Sequence, residues 1–247
     1  MQLLFLGHGS SNVNFISEFM YIVDLFRSRH PSIKVRLWVL EFSKLSLMRC
    51  LELGVKIYVL IPLILLDSKH VKFDVCVLSR FIQSVRKSSV VLQVGGLCSV
   101  LMSVKLVSRL LKTCIICSGL KFDATNLILI IVFRGSSELK LNALAYSCSR
   151  ILWEGSGCLW CENFFLGLTF PLFEFTRLLA IWRNNVVVVP LLLFYGNLYF
   201  VFQKYKLVTG HVFSEAVGIN LLFKYLRRFL FEVGLSSCEL CKYRLSN

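Results

Sequence analysis

Gln2-Leu3-Leu4-Phe5-Leu6 runs without a charge straight into Gly7-His8-Gly9-Ser10. A short, continuous apolar run closed by turn residues is how a buried strand of a parallel sheet reads. The next stretch, Asn14–Arg29, repeats at a different period. Phe15, Phe19, Ile22, Val23 and Phe26 recur at three- and four-residue steps, which makes one buried face of a helix. Working outward, strand-like runs follow at Lys34–Leu40, Val55–Pro62 and Val90–Val94, with helix-like stretches at Leu45–Leu53, Asp74–Lys87 and Ser99–Lys112. Strands alternating with helices of this length predict βαβ units and a parallel sheet.

The same order then starts again. Leu127–Phe133 reads as a strand, followed by Arg134-Gly135-Ser136-Ser137 and a helix from about Glu138 to Trp153. Gly7-His8-Gly9-Ser10 and Phe133-Arg134-Gly135-Ser136 lie 126 positions apart, and the strand-ending prolines Pro62 and Pro190 lie 128 apart. A near-constant offset marks an internal duplication. The expectation is an α/β protein of two similar, doubly wound halves with parallel sheets. Residues 1–118 form the first half, 126–235 the second and 236–247 a tail, with the connector near Ser118–Thr125.

Composition narrows the class. Only 17% of the 247 residues are charged and 56% are hydrophobic, which excludes a disordered chain. A mean hydropathy of +0.70 raises the question of membrane spans. A span needs about 18–20 apolar residues. The full-length candidate, Asn184–Gln203, contains Asn185, Pro190, Gly196 and Asn197, and Ser88–Val104 is cut by Gln93, Gly95 and Gly96. Both read as core elements, against the rival reading of a polytopic membrane protein. Met1–Leu6 meets Gly7 too soon for a secretory signal, so the ten cysteines are expected to be reduced thiols in the cytoplasm. The formal charge of +14 favours an anionic partner. The basic residues form no dense run with interleaved aromatics, so nucleic acid is not expected.

In open parallel sheets ligands bind beyond the carboxyl ends of strands. Three ionisable residues of the first half fall there. His8 follows the first strand, Glu41 closes the second, and His70 stands in the loop after Pro62. Two imidazoles and a carboxylate suit a first-row divalent metal, and also proton abstraction near neutral pH.

Leu3-Leu4-Phe5-Leu6-Gly7-His8-Gly9-Ser10 and Ile61-Pro62-Leu63-Ile64-Leu65-Leu66-Asp67-Ser68-Lys69-His70-Val71-Lys72 resemble the two signature stretches of the class II chelatases, the CbiX-type sirohydrochlorin cobalt or iron chelatases. Arg134-Gly135-Ser136-Ser137, Arg150–Gly157 and Thr169-Phe170-Pro171 resemble the matching parts of the long, two-half members. The resemblance implies ATP-independent insertion of Co²⁺, or else Fe²⁺, into the polycarboxylate tetrapyrrole sirohydrochlorin, for cobalamin or sirohaem synthesis. It also implies an active cleft between the two halves. His8, His70 and Glu41 would be both catalytic and metal-ligating, with Ser10 and Arg134 binding substrate. No Gly-x-x-x-x-Gly-Lys-Ser/Thr loop occurs in the sequence, in keeping with a reaction not driven by ATP. The rival class is a tetrapyrrole- or metal-binding protein of the same fold without turnover.

The offsets carry a further expectation. They map His8 onto Arg134, Glu41 onto Gly167 and His70 onto Leu198, so one insertion centre is expected per chain. Arginine stays protonated near neutral pH and presents a planar fork of donors, so Arg134 is expected to hold a peripheral carboxylate of the substrate. Three Cys-x-x-Cys pairs occur. Cys114/Cys117 lie in an apolar run and read as buried thiols, and neither their spacing to Cys158/Cys161 nor that of Cys158/Cys161 to Cys238/Cys241 fits a compact zinc module. The terminal Cys238/Cys241 pair resembles one that binds an iron–sulfur cluster in some long members. Two thiolates are half the usual ligand set, so a cluster there implies sharing within a homodimer. His30, before Pro31 at a helix end, reads as a solvated turn residue and His211 as a loop histidine.

Overall fold

The computed structural model describes residues 1–9, 13–40, 47–64, 70–94, 126–133, 135–136, 138–165, 186–190 and 194. The chain divides into two compact units, whose described residues lie within Met1–Val100 and within Leu101–Gly218.

The first unit alternates β1 (Gln2–Gly7), α1 (Val13–Arg29), β2 (Lys34–Val39), α2 (Leu47–Cys50), β3 (Ile57–Pro62), a π-helical turn over His70–Asp74, α3 (Val75–Val85) and β4 (Val90–Gln93). The strands form one parallel sheet in the order β2-β1-β3-β4. Because side chains alternate across a strand, β1 feeds both faces. Leu4 and Leu6 join Tyr58, Leu60, Val75, Leu78 and Ile82 in a core on the α3 side. Phe5 turns the other way, with its ring centroid 5.1 Å from that of Phe26 on α1. Helices thus cover both faces, the doubly wound arrangement read from the sequence. All five apolar residues of the α1 stripe are buried.

The second unit repeats the plan with β5 (Ile128–Phe133), α4 (Leu139–Ser156), β6 (Trp160–Phe165) and β7 (Val186–Pro190). Its three described strands are parallel, in the order β6-β5-β7. The duplication is visible residue by residue. Gln2 pairs with Lys34 in the first sheet as Ile128 pairs with Trp160 in the second, each a shift of 126. Gln2 also pairs with Tyr58 as Ile128 pairs with Val186, the latter a shift of 128. The Val-rich stretch weighed as a membrane span is therefore a core strand, and among the described residues no helix is long and apolar enough to cross a membrane.

Three local readings change. Of the helix expected over Leu45–Leu53, the described residues form the single turn Leu47–Cys50, and the chain leaves it at Leu51. Fully buried Gln2 explains why: its Nε2 donates to Cys50 O at 2.6 Å and its Oε1 accepts from Glu52 N at 3.2 Å. Backbone groups that a longer helix would pair internally are taken by this side chain. His30, read as a solvated turn residue, is instead buried, 3% exposed, with its ring centroid 5.3 Å from that of Phe26. Burial follows from the tight turn it closes, in which its N–H bonds Phe26 O and its carbonyl accepts from Ile33 N, both at 3.0 Å. The strand β6 was not anticipated at all. The helix expected over Ser99–Lys112 lies outside the described residues.

Candidate functional site

The carboxyl ends of three strands finish level. Gly7 pairs with Val39 on one side and Leu6 with Pro62 on the other. Beyond them Leu40 N donates to Gly7 O at 2.9 Å and Leu63 N donates to Leu6 O at 2.8 Å, so the sheet bonding continues to the last residue of each strand. His8, Leu40 and Leu63 leave this edge side by side.

Two glycines shape the point where His8 emerges. A Cβ on Gly7 would stand 3.0 Å from Phe19 Cε1 and 3.2 Å from Phe15 Cζ, so glycine lets α1 lie against the end of β1. Gly9 has φ of 110°, a conformation that side chains with a Cβ rarely adopt. Between them His8 is half-buried, with Nδ1 3.4 Å from Gly9 O. Only a protonated Nδ1 can donate to a carbonyl. A neutral imidazole keeps one ring nitrogen unprotonated in either tautomer, and that lone pair is what a metal ligand or a proton acceptor needs.

The other expected residues divide between the described and the undescribed. Glu41 directly follows Leu40 at the β2 end but lies outside the described residues, as do Ser10, Arg134, Cys238 and Cys241. His70 is the first residue of the π-helical turn that precedes α3, within the connection that leaves the carboxyl end of β3. The topology therefore brings Gly7, beside His8, and Leu40, beside Glu41, to one edge of one sheet, and the connection that later bears His70 leaves the same edge at Leu63. Among the described residues, no group of three His, Cys, Asp or Glu side chains is set to hold a metal ion.

In the second unit the equivalent strand end is built differently. Gly135, 126 positions after Gly9, also has positive φ, at 79°. Asn142, in the first turn of α4, accepts from Ser136 N through Oδ1 at 3.1 Å and donates to Ser136 O through Nδ2 at 2.8 Å. Ser136 Oγ in turn accepts from Glu138 N at 3.1 Å. Sequence reasoning did not single out Asn142. The duplication pairs it with Ile16, which has no polar group, and that contrast is the signal that could have found it.

The thiols of the middle Cys-x-x-Cys pair are structural. Cys158 is buried, and Cys161 on β6 places its Sγ 3.8 Å from Ser149 O. Burial pushes both thiols up, Cys161 to about 12, with the neighbouring Cys158 and Glu162 adding to the latter. Neither is a thiolate near neutral pH. Glu52 belongs to a separate cluster near the amino ends of the strands. Its hydrogen bond from Lys34 holds its carboxyl below the usual range, and Arg36 lies 3.1 Å away.

Comparison with known proteins agrees with this architecture. A sirohydrochlorin cobaltochelatase of Priestia megaterium is 28% identical over 98% of this chain and 84% of its own length. SirB from Bacillus subtilis, solved with Fe³⁺, superposes with a TM-score of 0.75 at 17% identity, covering 97% of this chain and 98% of its own. The sirohydrochlorin chelatase SirB from Bacillus subtilis subspecies spizizenii, in complex with cobalt, gives 0.67 at 16% identity over 92% of this chain and 94% of its own. The CbiX family model matches residues 2–82 and 128–204, one block in each of the two repeated halves, and the chain belongs to the CbiX family.

Proposed function

We propose that this chain is an ATP-independent cytoplasmic chelatase that inserts Co²⁺, and secondarily Fe²⁺, into sirohydrochlorin, a step of cobalamin or sirohaem synthesis. The observation that carries the reading is His8, held by Gly7 and Gly9 at the carboxyl edge of a parallel sheet in a chain of this family. Insertion exchanges two pyrrole N–H protons for one dication, so the site must strip water from the metal and accept protons. Neutral imidazoles do both near neutral pH. In this reading His8 and His70 ligate the incoming ion or take the protons, and Glu41 completes the set as ligand or relay.

Ser10 and Arg134 bind the substrate rather than the metal. Sirohydrochlorin carries many carboxylates, and a chain of formal charge +14 attracts such an anion. An arginine fork pairs with one carboxylate through two parallel hydrogen bonds. The test is metal insertion into sirohydrochlorin followed by absorbance, offering Co²⁺, Fe²⁺ and Ni²⁺ separately. Faster turnover with Co²⁺ than with Fe²⁺ supports the assignment; no insertion with any of the three overturns it.

A further inference from the structure

We propose that an aromatic patch of the second unit is the face through which two copies of this chain pair about a two-fold axis. The patch runs from α4 onto the start of β6. Tyr146 and Trp153, two helical turns apart, share one face of α4. Between them Arg150 lies over the Trp153 ring, its guanidinium carbon 4.4 Å from the ring centroid. The rings of Trp153 and Trp160 meet with centroids 5.9 Å apart. Tyr146, Leu159 and Trp160 are 52%, 59% and 49% exposed. Tyrosine, tryptophan and arginine are the side chains that carry most of the binding energy at protein interfaces. The matching edge of the first unit is finished for water instead. There Ile33 stands in the place of Leu159 and is buried, while Lys34 stands in the place of Trp160, exposed and paired with Glu52 at 2.6 Å.

Charge identifies the occupant as a second copy. The chain carries a formal +14, so two copies repel each other over most of their surface. The second unit escapes that excess: its described basic residues are Lys140 and Arg150, and its described acidic residues are Glu138, Glu154 and Glu162. Within the patch Arg150 and Glu154 stand one turn apart and bond at 2.6 Å, both more than half exposed. A two-fold contact must be self-complementary, so that each residue of a pair meets the other across the axis. One cation beside one anion satisfies that condition, with Arg150 facing Glu154 of the partner subunit and Glu154 facing Arg150 of the partner subunit. A strongly acidic or strongly basic partner would instead meet a like charge at one of the two. Leu159 and Trp160 stand at the amino end of β6, away from the carboxyl ends where open sheets bind ligands, so pairing there leaves that edge of the unit clear.

The experiment is sedimentation velocity on the full chain across a concentration series, with circular dichroism to verify the fold of each variant. The parent should sediment as a dimer that dissociates on dilution. Leu159→Glu and Trp160→Glu should each raise the dimer dissociation constant about 10²-fold or more, because every dimer carries the change twice. Should Trp160→Glu fold poorly, Leu159→Glu stands alone, since its side chain lies in the exposed turn before β6. Arg150→Glu and Glu154→Arg should each weaken pairing by less, and the double exchange should restore most of the loss. A parent that is monomeric at every concentration overturns the proposal. So does a dimer that Leu159→Glu leaves as tight as the parent, or a double exchange in which the two single losses simply add.

Discussion

The two halves share a backbone plan and differ in what stands on it. Strand register is preserved across the duplication, from Gln2–Lys34 to Ile128–Trp160 and from Gln2–Tyr58 to Ile128–Val186. Positive φ is preserved as well, at Gly9 and Gly135. The chemistry is not. His8 is replaced by Arg134, an imidazole by a permanently protonated guanidinium. The packing has also changed sides. Gly7 lies against the ring of Phe19 in the first half, whereas the equivalent positions of the second are Phe133 and Ala145. Register and backbone bends are the shared frame; bulk and ionisable groups have diverged separately on each copy.

The sharpest way to break this comparison is through the residues with no counterpart in the second half. His70→Ala should lower the rate of metal insertion by ~10²–10⁴ while the unfolding midpoint stays near the parent's, since loops at strand ends are lightly packed. Glu41→Gln should lose less, because the amide keeps the shape and one acceptor. Parental rates in both variants would mean that the first half holds no special centre.

Packing supplies the next test. Phe133 is 2% exposed and stacks on Phe165 with centroids 5.5 Å apart, so Phe133→Ala should destabilise by about 3–5 kcal/mol. Gly7→Ala should cost less, about 1–3 kcal/mol, through overpacking against the buried Phe19. Denaturant unfolding measures both. A harmless Gly7→Ala would show that the close approach of α1 is not what keeps a glycine there.

The smallest effect is expected at the terminal thiols. Replacing Cys238 and Cys241 together with Ser should leave the insertion rate unchanged, because neither belongs to the proposed set of metal ligands. A lost rate in that double variant would extend the chemistry beyond the strand ends.

Much of the frame was legible because parallel strands are buried on both faces and therefore spell continuous apolar runs. Gln2–Leu6, Val55–Pro62 and Val90–Val94 all correspond to observed strands within a few residues. Trp160–Phe165 escaped because Glu162 and Asn163 interrupt its apolar character, as they can on a strand at the margin of the described sheet. The repeat offset that maps Lys34–Val39 onto it would have found it. The shortened α2 was illegible because it depends on the buried amide of Gln2, 48 residues away in sequence. For the site, topology alone takes His8, the residue before Glu41 and the connection bearing His70 to one edge, which is why strand ends could be read from sequence. Asn142 was not singled out, although the repeat offset, which sets it against Ile16, held the signal.

The claim that one half inserts the metal and the other holds the substrate is tested most directly by measuring kcat and KM for Co²⁺ insertion in His8→Ala and Arg134→Ala side by side. His8→Ala should lose ~10²–10⁴ in kcat with little change in KM, and Arg134→Ala should raise KM several-fold with kcat changed less. A parental rate in His8→Ala, or a large kcat loss at unchanged KM in Arg134→Ala, would contradict the division of labour between the halves.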